Sequence, residues 1–377
     1  MKSSIKISRL FTAEDWMQLR GELIQGQKPW EQAVCMFKDR IESRFFSPMD
    51  EILKIGKNEG EGFSMALIGV VLLEFLAAFE WGKLYVVRES QRSPNQKNEQ
   101  NIGLAPHQYD SGKYLLNKFL RHSNIFKDDF DDDEQVNNFY SNIRCGLVHE
   151  GRTLKNDVII SEVSVKNTKR GHMYFKDDEE NRLNRDVLFA RLKEQVKKFC
   201  NDLQHDRDNS RNNFILKMDE ISGEEHVWYF IYGSNLKEDR IKERLMFFDD
   251  RYLAGERCVL EDYEFVYNKR SSDGSAKANI QKKSGAVVEG IAVLLLKSTI
   301  NKFFEKYEKG YVQEEVNIKQ VRNSSQPSHS NFKAVTCISE LLTNTPPSAD
   351  YVNTILEGAA ERNLPQAYVE RYLKVTI

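Results

Sequence analysis

The stretch FSMALIGVVLLEFLAAFEW, residues 63–81, limits what this chain can fold into more than any other. A helix points its side chains to all sides with a period of 3.6 residues. Here nearly every direction is apolar, so no face is suited to water. The length is that of a minimal membrane span, but Glu74 and Glu80 interrupt it and no basic flank anchors it. The segment therefore predicts the central helix of a bundle, in a soluble, cytoplasmic protein with no membrane partner. The opening MKSSIKISRLFTAEDW has no continuous apolar core, so no secretory signal is expected.

Helical periodicity runs on either side of that segment. In EQAVCMFKDRIESRFF, Val34, Phe37, Ile41 and Phe45 recur at three- and four-residue steps and form one apolar stripe. Similar patterns predict helices over 111–121, 134–148 and 183–203, joined by polar connections such as 93–101. A β-like stretch at 157–165 predicts a hairpin-like excursion. The acidic run DDFDDDE (128–134) carries oxygen ligands suited to a divalent ion, but reads better as a solvated loop capping the next helix.

The texture changes across 206–224, which is polar, turn-rich and read as a linker. Strand-like runs follow at 226–231, 257–267, 286–296, 311–319 and 333–339, with helical patterns at 236–245, 298–307, 349–361 and 365–374. The expected fold is α+β: an all-α bundle over 1–205, then a mixed, barrel-like α/β domain over 225–377. With 55 basic and 57 acidic residues, no global field advertises a nucleic acid or a membrane. Five scattered cysteines without a Cys-x-x-Cys pair read as reduced thiols. The histidines show no ligand spacing, so neither a metal nor a cofactor is expected.

In VWYFIYGSNLKEDRI (227–241) a short strand ends in Gly-Ser-Asn just before a helix. Amides at such a turn can hold a carboxylate or phosphate, and Gly233 allows close approach or a positive φ. Ser234 or Asn235 can equally serve as the cap of the helix. The turn is too short for a phosphate-binding P-loop and lacks its Gly-Lys-Ser/Thr ending.

Tyr229–Leu236, RCVLEDYEFVYN (257–268), SAKANIQKKSGAVVEGIAVLL (275–295), FFEKYEKGY (303–311) and the closing TNTPPSADYVNTILEGAAERNLPQAYVERY (343–372) together resemble the gamma-glutamylcyclotransferase family, over about 226–374. The resemblance implies a small mixed barrel. It also implies an intramolecular reaction, in which a γ-glutamyl α-amine attacks its own γ-carbonyl and releases pyroglutamate and an amine. On that resemblance Glu308 is the general acid/base, with Glu305 and Glu314 close in sequence. Tyr232, Gly233, Ser234, Asn235 and Leu236 would grip the substrate, and Tyr351 would line the pocket. The implied partner is a small γ-glutamyl compound or a γ-glutamyl-modified side chain.

The helical half holds NIRCGLVH (142–149), whose Arg144 and His149 resemble the Arg-x4-His pair of HEPN-type domains. That resemblance implies a metal-free ribonuclease or nucleotide-sensing effector acting on RNA or a nucleotide, usually at a dimer interface. Such a pairing of domains would suit a homodimer with a bacterial stress or defence role. On an ideal α-helix a spacing of five sets the two side chains about 140° apart, so convergence would require the helix to end near Gly146.

Overall fold

A computed structural model describes residues 5–24, 26–56, 60–87, 103–130, 132–165, 169–321 and 331–375. The polar connection at 93–101 and Asp131 of the acidic run lie outside the described residues. Two compact units are present. Residues up to 87 and from 109 to 222 form the first, and 103–108 with 223 onward form the second.

The first unit contains α1 (Ala13–Glu22), α2 (Lys28–Ile41), α3 (Ser47–Ile55), α4 (Glu61–Glu80), α5 (Gly112–His122), α6 (Asp133–Asn138), α7 (Arg185–His205) and α8 (Ser210–Ile221). Helix α4 is the apolar segment, and it packs against α3, α5, α7 and α8. By length and composition it could cross a membrane, yet 56% of its apolar window is buried inside the protein. Its two carboxylates are both met. Glu74 accepts from Arg144 Nη2 at 2.8 Å. Glu80 accepts from Gln195 at 2.6 Å and lies 3.6 Å from Lys198 Nζ. Buried charges need such partners, because a carboxylate stranded in apolar surroundings costs far more than its neutral form. Phe37, Phe79, Phe199 and Phe214, one each from α2, α4, α7 and α8, meet with ring centroids 5.1–6.5 Å apart.

The segment 206–224 departs from the linker reading. Helix α8 fills most of it, with Phe214, Ile215 and Met218 buried. Its polar texture misleads because Asp219, wholly buried, accepts from Trp16 Nε1 at 2.8 Å and from Arg20 Nε at 2.9 Å. The acidic run also splits. Asp132 caps α6 by accepting from the Gln135 amide, as a capping loop would. Asp129 instead is buried, accepting from the Met173 amide and pairing with Arg191. No cluster of three metal-ligating side chains occurs among the described residues. The excursion at 157–165 is a strand at Val158–Ile160, which pairs in parallel with Glu180–Asn184. That strand pairs antiparallel with Tyr174–Asp177, in a charged hairpin with little strand pattern in its sequence.

The second unit is a closed barrel, so the α+β expectation holds. Its strands are β1 (His226–Ile231), β2 (Gly255–Arg270), β3 (Ala276–Leu296), β4 (Val312–Gln320) and β5 (Asn331–Ile338), in the order β5-β1-β3-β2-β4. β4 closes back onto β5. The strands β2 and β3 are longer than the apolar runs suggest, because their polar halves pair with each other beyond the core. Pairing is antiparallel except between β1 and β5, which run parallel. Helices α9 (Glu238–Met246), α10 (Lys297–Tyr307) and α11 (Ala349–Glu361) complete this unit, followed by helical turns over 366–373.

Asp219→Ala removes the buried carboxylate to which Trp16 and Arg20 donate. It is expected to destabilise the protein by about 3–5 kcal/mol in equilibrium urea unfolding. A change below about 1 kcal/mol would mean that the pair contributes little.

Candidate functional site

The turn after β1 is positioned by closure of the barrel, since β1 is paired on both sides, by β5 and β3. Residues Ser234–Leu236 form a single 3₁₀ turn, and α9 starts only at Glu238. Neither Ser234 nor Asn235 caps α9, whose N-cap residue is Lys237 and whose first amide donates to the Glu361 carboxylate at 2.8 Å. The capping alternative is therefore excluded. Gly233 has φ −112°, so left-handed backbone is not the reason for a glycine here. The reason is space: a Cβ would stand 3.2 Å from Ala278 Cβ and 3.8 Å from the Tyr351 hydroxyl.

The first amides of a helical turn have no acceptor within it. The Leu236 amide already bonds the Gly233 carbonyl at 2.9 Å, whereas those of Ser234 and Asn235 make no hydrogen bond among the described residues. Leu236 therefore departs from its expected role. Its side chain is buried, its carbonyl accepts from Arg362 Nε at 3.0 Å, and it supports the turn from beneath. Gly358 of α11 makes this packing possible, because a Cβ there would lie 2.3 Å from the Lys237 amide nitrogen and 2.8 Å from Leu236 Cβ.

Glu308 ends α10 and faces the turn. Gly310, at φ +79°, provides the left-handed residue that redirects the chain into β4 just after it. The Glu308 side chain is only 10% exposed. Its Oε1 accepts from Asn235 Nδ2 at 2.8 Å and lies 3.5 Å from Arg244 Nη1. Arg244 also donates to Asn235 Oδ1 at 2.8 Å, which fixes the amide's orientation. Oε2 of Glu308 makes no hydrogen bond among the described residues. Burial raises the Glu308 carboxyl above the ordinary range, against the opposing pull of Arg244, Asn235, Arg240 and Lys269. Glu305 and Glu314, by contrast, are exposed.

A small cavity of about 30 Å³ joins these groups, and Gly233, Ser234, Asn235, Glu308, Tyr311 and Tyr351 are among the residues lining it. The Tyr351 hydroxyl accepts from the Ala278 amide at 3.1 Å, and burial pushes its pKa to about 12. It stays protonated at neutral pH and can donate inward. Tyr311 donates to the Ala278 carbonyl at 2.6 Å. Tyr232 is buried and donates to the Cys337 carbonyl, so its role is to hold β1 to β5. Sequence reasoning missed Arg244, Tyr311 and Cys337. Arg240 and Arg244, four apart on α9, share one helix face and were a usable signal. Cys337 gave none.

Arg144 and His149 fall on a π-helical stretch, Phe139–Glu150, that continues past Gly146. Hydrogen bonds there run from i to i+5, so the two positions are about one turn apart rather than splayed. The guanidinium is nonetheless held by Glu74, at 2.8 and 3.2 Å, and lies over the Tyr140 ring, while His149 is exposed. A phosphate site needs that guanidinium uncommitted, so this arrangement gives the ribonuclease reading no support.

Two measurements test the geometry directly. Carbon-detected NMR of Glu308 should give a titration midpoint above the ordinary glutamate value of 4.5, and higher still in Arg244→Ala. A midpoint lowered by that substitution would contradict the charge arrangement. Gly358→Ala should cost about 1–3 kcal/mol in chemical denaturation, because both neighbours of the new methyl are backbone or buried side chain.

The AIG2-like family model matches residues 300–372, a span that contains Glu308 and Tyr351. The Homo sapiens protein described as gamma-glutamylcyclotransferase is 31% identical over 158 residues, covering 39% of this chain and 78% of the human one. The Mus musculus protein of the same description is 31% identical over 153 residues, covering 38% and 75%. A solved structure described as gamma-glutamyl cyclotransferase is 26% identical, covers 41% of this chain and 89% of that one, and gives a TM-score of 0.34. Through its barrel unit, then, this chain belongs to the gamma-glutamylcyclotransferase family.

Proposed function

We propose that the barrel unit is a gamma-glutamyl cyclotransferase in which Glu308 moves the protons. The observation that carries this reading is one buried carboxylate with a free oxygen, sharing a cavity with the unpaired amides of Ser234 and Asn235. The description of the human and mouse relatives as gamma-glutamylcyclotransferases supports it.

In this mechanism the amides of Ser234 and Asn235 hold the substrate's α-carboxylate, and the α-ammonium faces Oε2 of Glu308. The ionised carboxylate takes a proton from the ammonium. The freed amine nitrogen bonds to the γ-carbonyl carbon, closing a five-membered ring. The C–N bond to the leaving amine then breaks as Glu308 returns the first proton to that nitrogen, and the second proton shed by the ring nitrogen follows it, so that the amine departs as its ammonium. The products are pyroglutamate and a free amine, with no other reactant. Cyclisation needs little from the protein beyond orientation, because attacker and target belong to one molecule. Tyr351 donates into the cavity as charge develops on the carbonyl oxygen.

Pyroglutamate release from γ-glutamyl-alanine is the test. Glu308→Gln should lower kcat by about 10²–10⁴-fold, whereas Glu305→Gln, on the exposed face of α10, should leave it unchanged. Because burial raises the Glu308 carboxyl, its ionised form is lost on acidification at a higher pH than for an ordinary glutamate. The acidic limb of kcat/KM should therefore sit above 4.5 and vanish in Glu308→Gln. Equal activity of Glu308→Gln and wild type would remove Glu308 from the mechanism.

A further inference from the structure

The head-group cavity adjoins a second, larger groove of about 470 Å³, and the two share Ser234, Glu308, Tyr311 and Tyr351 as walls. If the inner cavity takes the glutamyl head group, the outer groove takes whatever is attached to it. The charge of this groove is unlike that of the chain. Seven of its lining residues are lysine or arginine and one, Glu308, is acidic, on a chain whose formal net charge is −2.

Most of these cations have no carboxylate at hydrogen-bond distance, although Arg240 and Lys269 act on Glu308 through space. Lys277 is paired, with Asp273 at 2.8 Å, and Arg244 reaches Asn235 and Glu308. Arg240, Lys269, Arg270 and Lys306 form no ion pair or side-chain hydrogen bond among the described residues. Lys269 matters most, being only 8% exposed, with its ammonium over the Tyr311 ring at 4.8 Å. Withdrawing an ammonium from water without a carboxylate is unfavourable, and the crowding of like charge adds to the cost. Burial, and then Arg244 one turn away on α9, hold the Arg240 guanidinium below its ordinary value. A fold that keeps so many like charges around one cleft is complementary to an anion.

We propose that the substrates of this site are γ-glutamyl conjugates whose leaving amine is multiply anionic, carrying a phosphate or several carboxylates that bind Arg240, Lys269, Arg270 and Lys306. This inference rests on the cyclotransferase reading for the glutamyl half, and adds the chemistry of the other half. A neutral or cationic amine would leave these charges unmet, and a singly charged one would meet few of them. Phosphate and polycarboxylate offer the same oxygen acceptors to guanidinium and ammonium donors, so the groove's chemistry covers both.

The test compares γ-glutamyl-O-phosphoserine and γ-glutamyl-glutamyl-glutamate with γ-glutamyl-serine, following pyroglutamate release at low salt and again at high salt. At low salt, kcat/KM for one or both anionic substrates should exceed that for γ-glutamyl-serine by about tenfold or more, as expected from a few partly desolvated charge-assisted contacts. The preference should shrink as salt rises. It should also fall towards one in the double variant Arg270→Gln/Lys306→Gln, whose two positions are exposed and unpaired, so that the fold is not at risk. A preference for phosphoserine alone would identify phosphate as the anion, and one for the glutamyl peptide alone would identify polycarboxylate. Turnover of all three substrates at similar kcat/KM would overturn this inference and leave the cyclotransferase reading standing. If none is turned over, the cyclotransferase reading fails, and calorimetric binding of the same compounds decides the groove. Tighter binding of the anionic ones would uphold its anion selectivity, and equal or absent binding would overturn it.

Discussion

Closure of the barrel around β1 is the constraint on which the rest of this site depends. A strand paired on both sides cannot shift register without breaking two ladders, so its end is a fixed point. The turn at 232–236 inherits that fixity. Gly358 brings α11 against the underside of the turn, and Arg362 takes the Leu236 carbonyl. The amides of Ser234 and Asn235 are thus held in a preset direction, which is what a site needs if binding is not to be weakened by ordering its own loop.

Opposite that fixed point the protein keeps a carboxylate mostly out of water. Burial alone would neutralise Glu308, whereas full pairing with Arg244 would leave it too weak a base. The arrangement lies between these limits, with Asn235 interposed between the two and one carboxylate oxygen left open. Desolvation outweighs the neighbouring cations, so the net shift is upward. Arg240 and Lys269 contribute to that opposing pull and also line the outer groove.

The helical unit uses the same physics for structure. Its central helix is apolar enough for a bilayer, yet Glu74 and Glu80 are met by Arg144, Gln195 and Lys198. Asp219 performs the equivalent task between α1 and α8. In each case the charged residue inside an apolar helix marks a tertiary partner, and Arg144 is such a partner.

Much of this was legible from residues alone. Periodicity gave the helical first half and the strand-rich second half, because one buried face imposes its repeat on the sequence. The ordered motifs from Tyr229 to Tyr372 pointed to the family, and the expectation for Glu308 came from that resemblance. The sequence by itself could not tell that α8 is a core helix, since a buried Asp219 looks the same in a string as a solvated one. Nor could it separate Leu236 from Ser234 and Asn235, since which amides stay free depends on the 3₁₀ turn. Tertiary structure alone decided that Arg240, Lys269, Arg270 and Lys306, from separate elements, line one groove. Local propensity acts over a few neighbours, whereas burial and charge act through space between segments that only the closed barrel brings together.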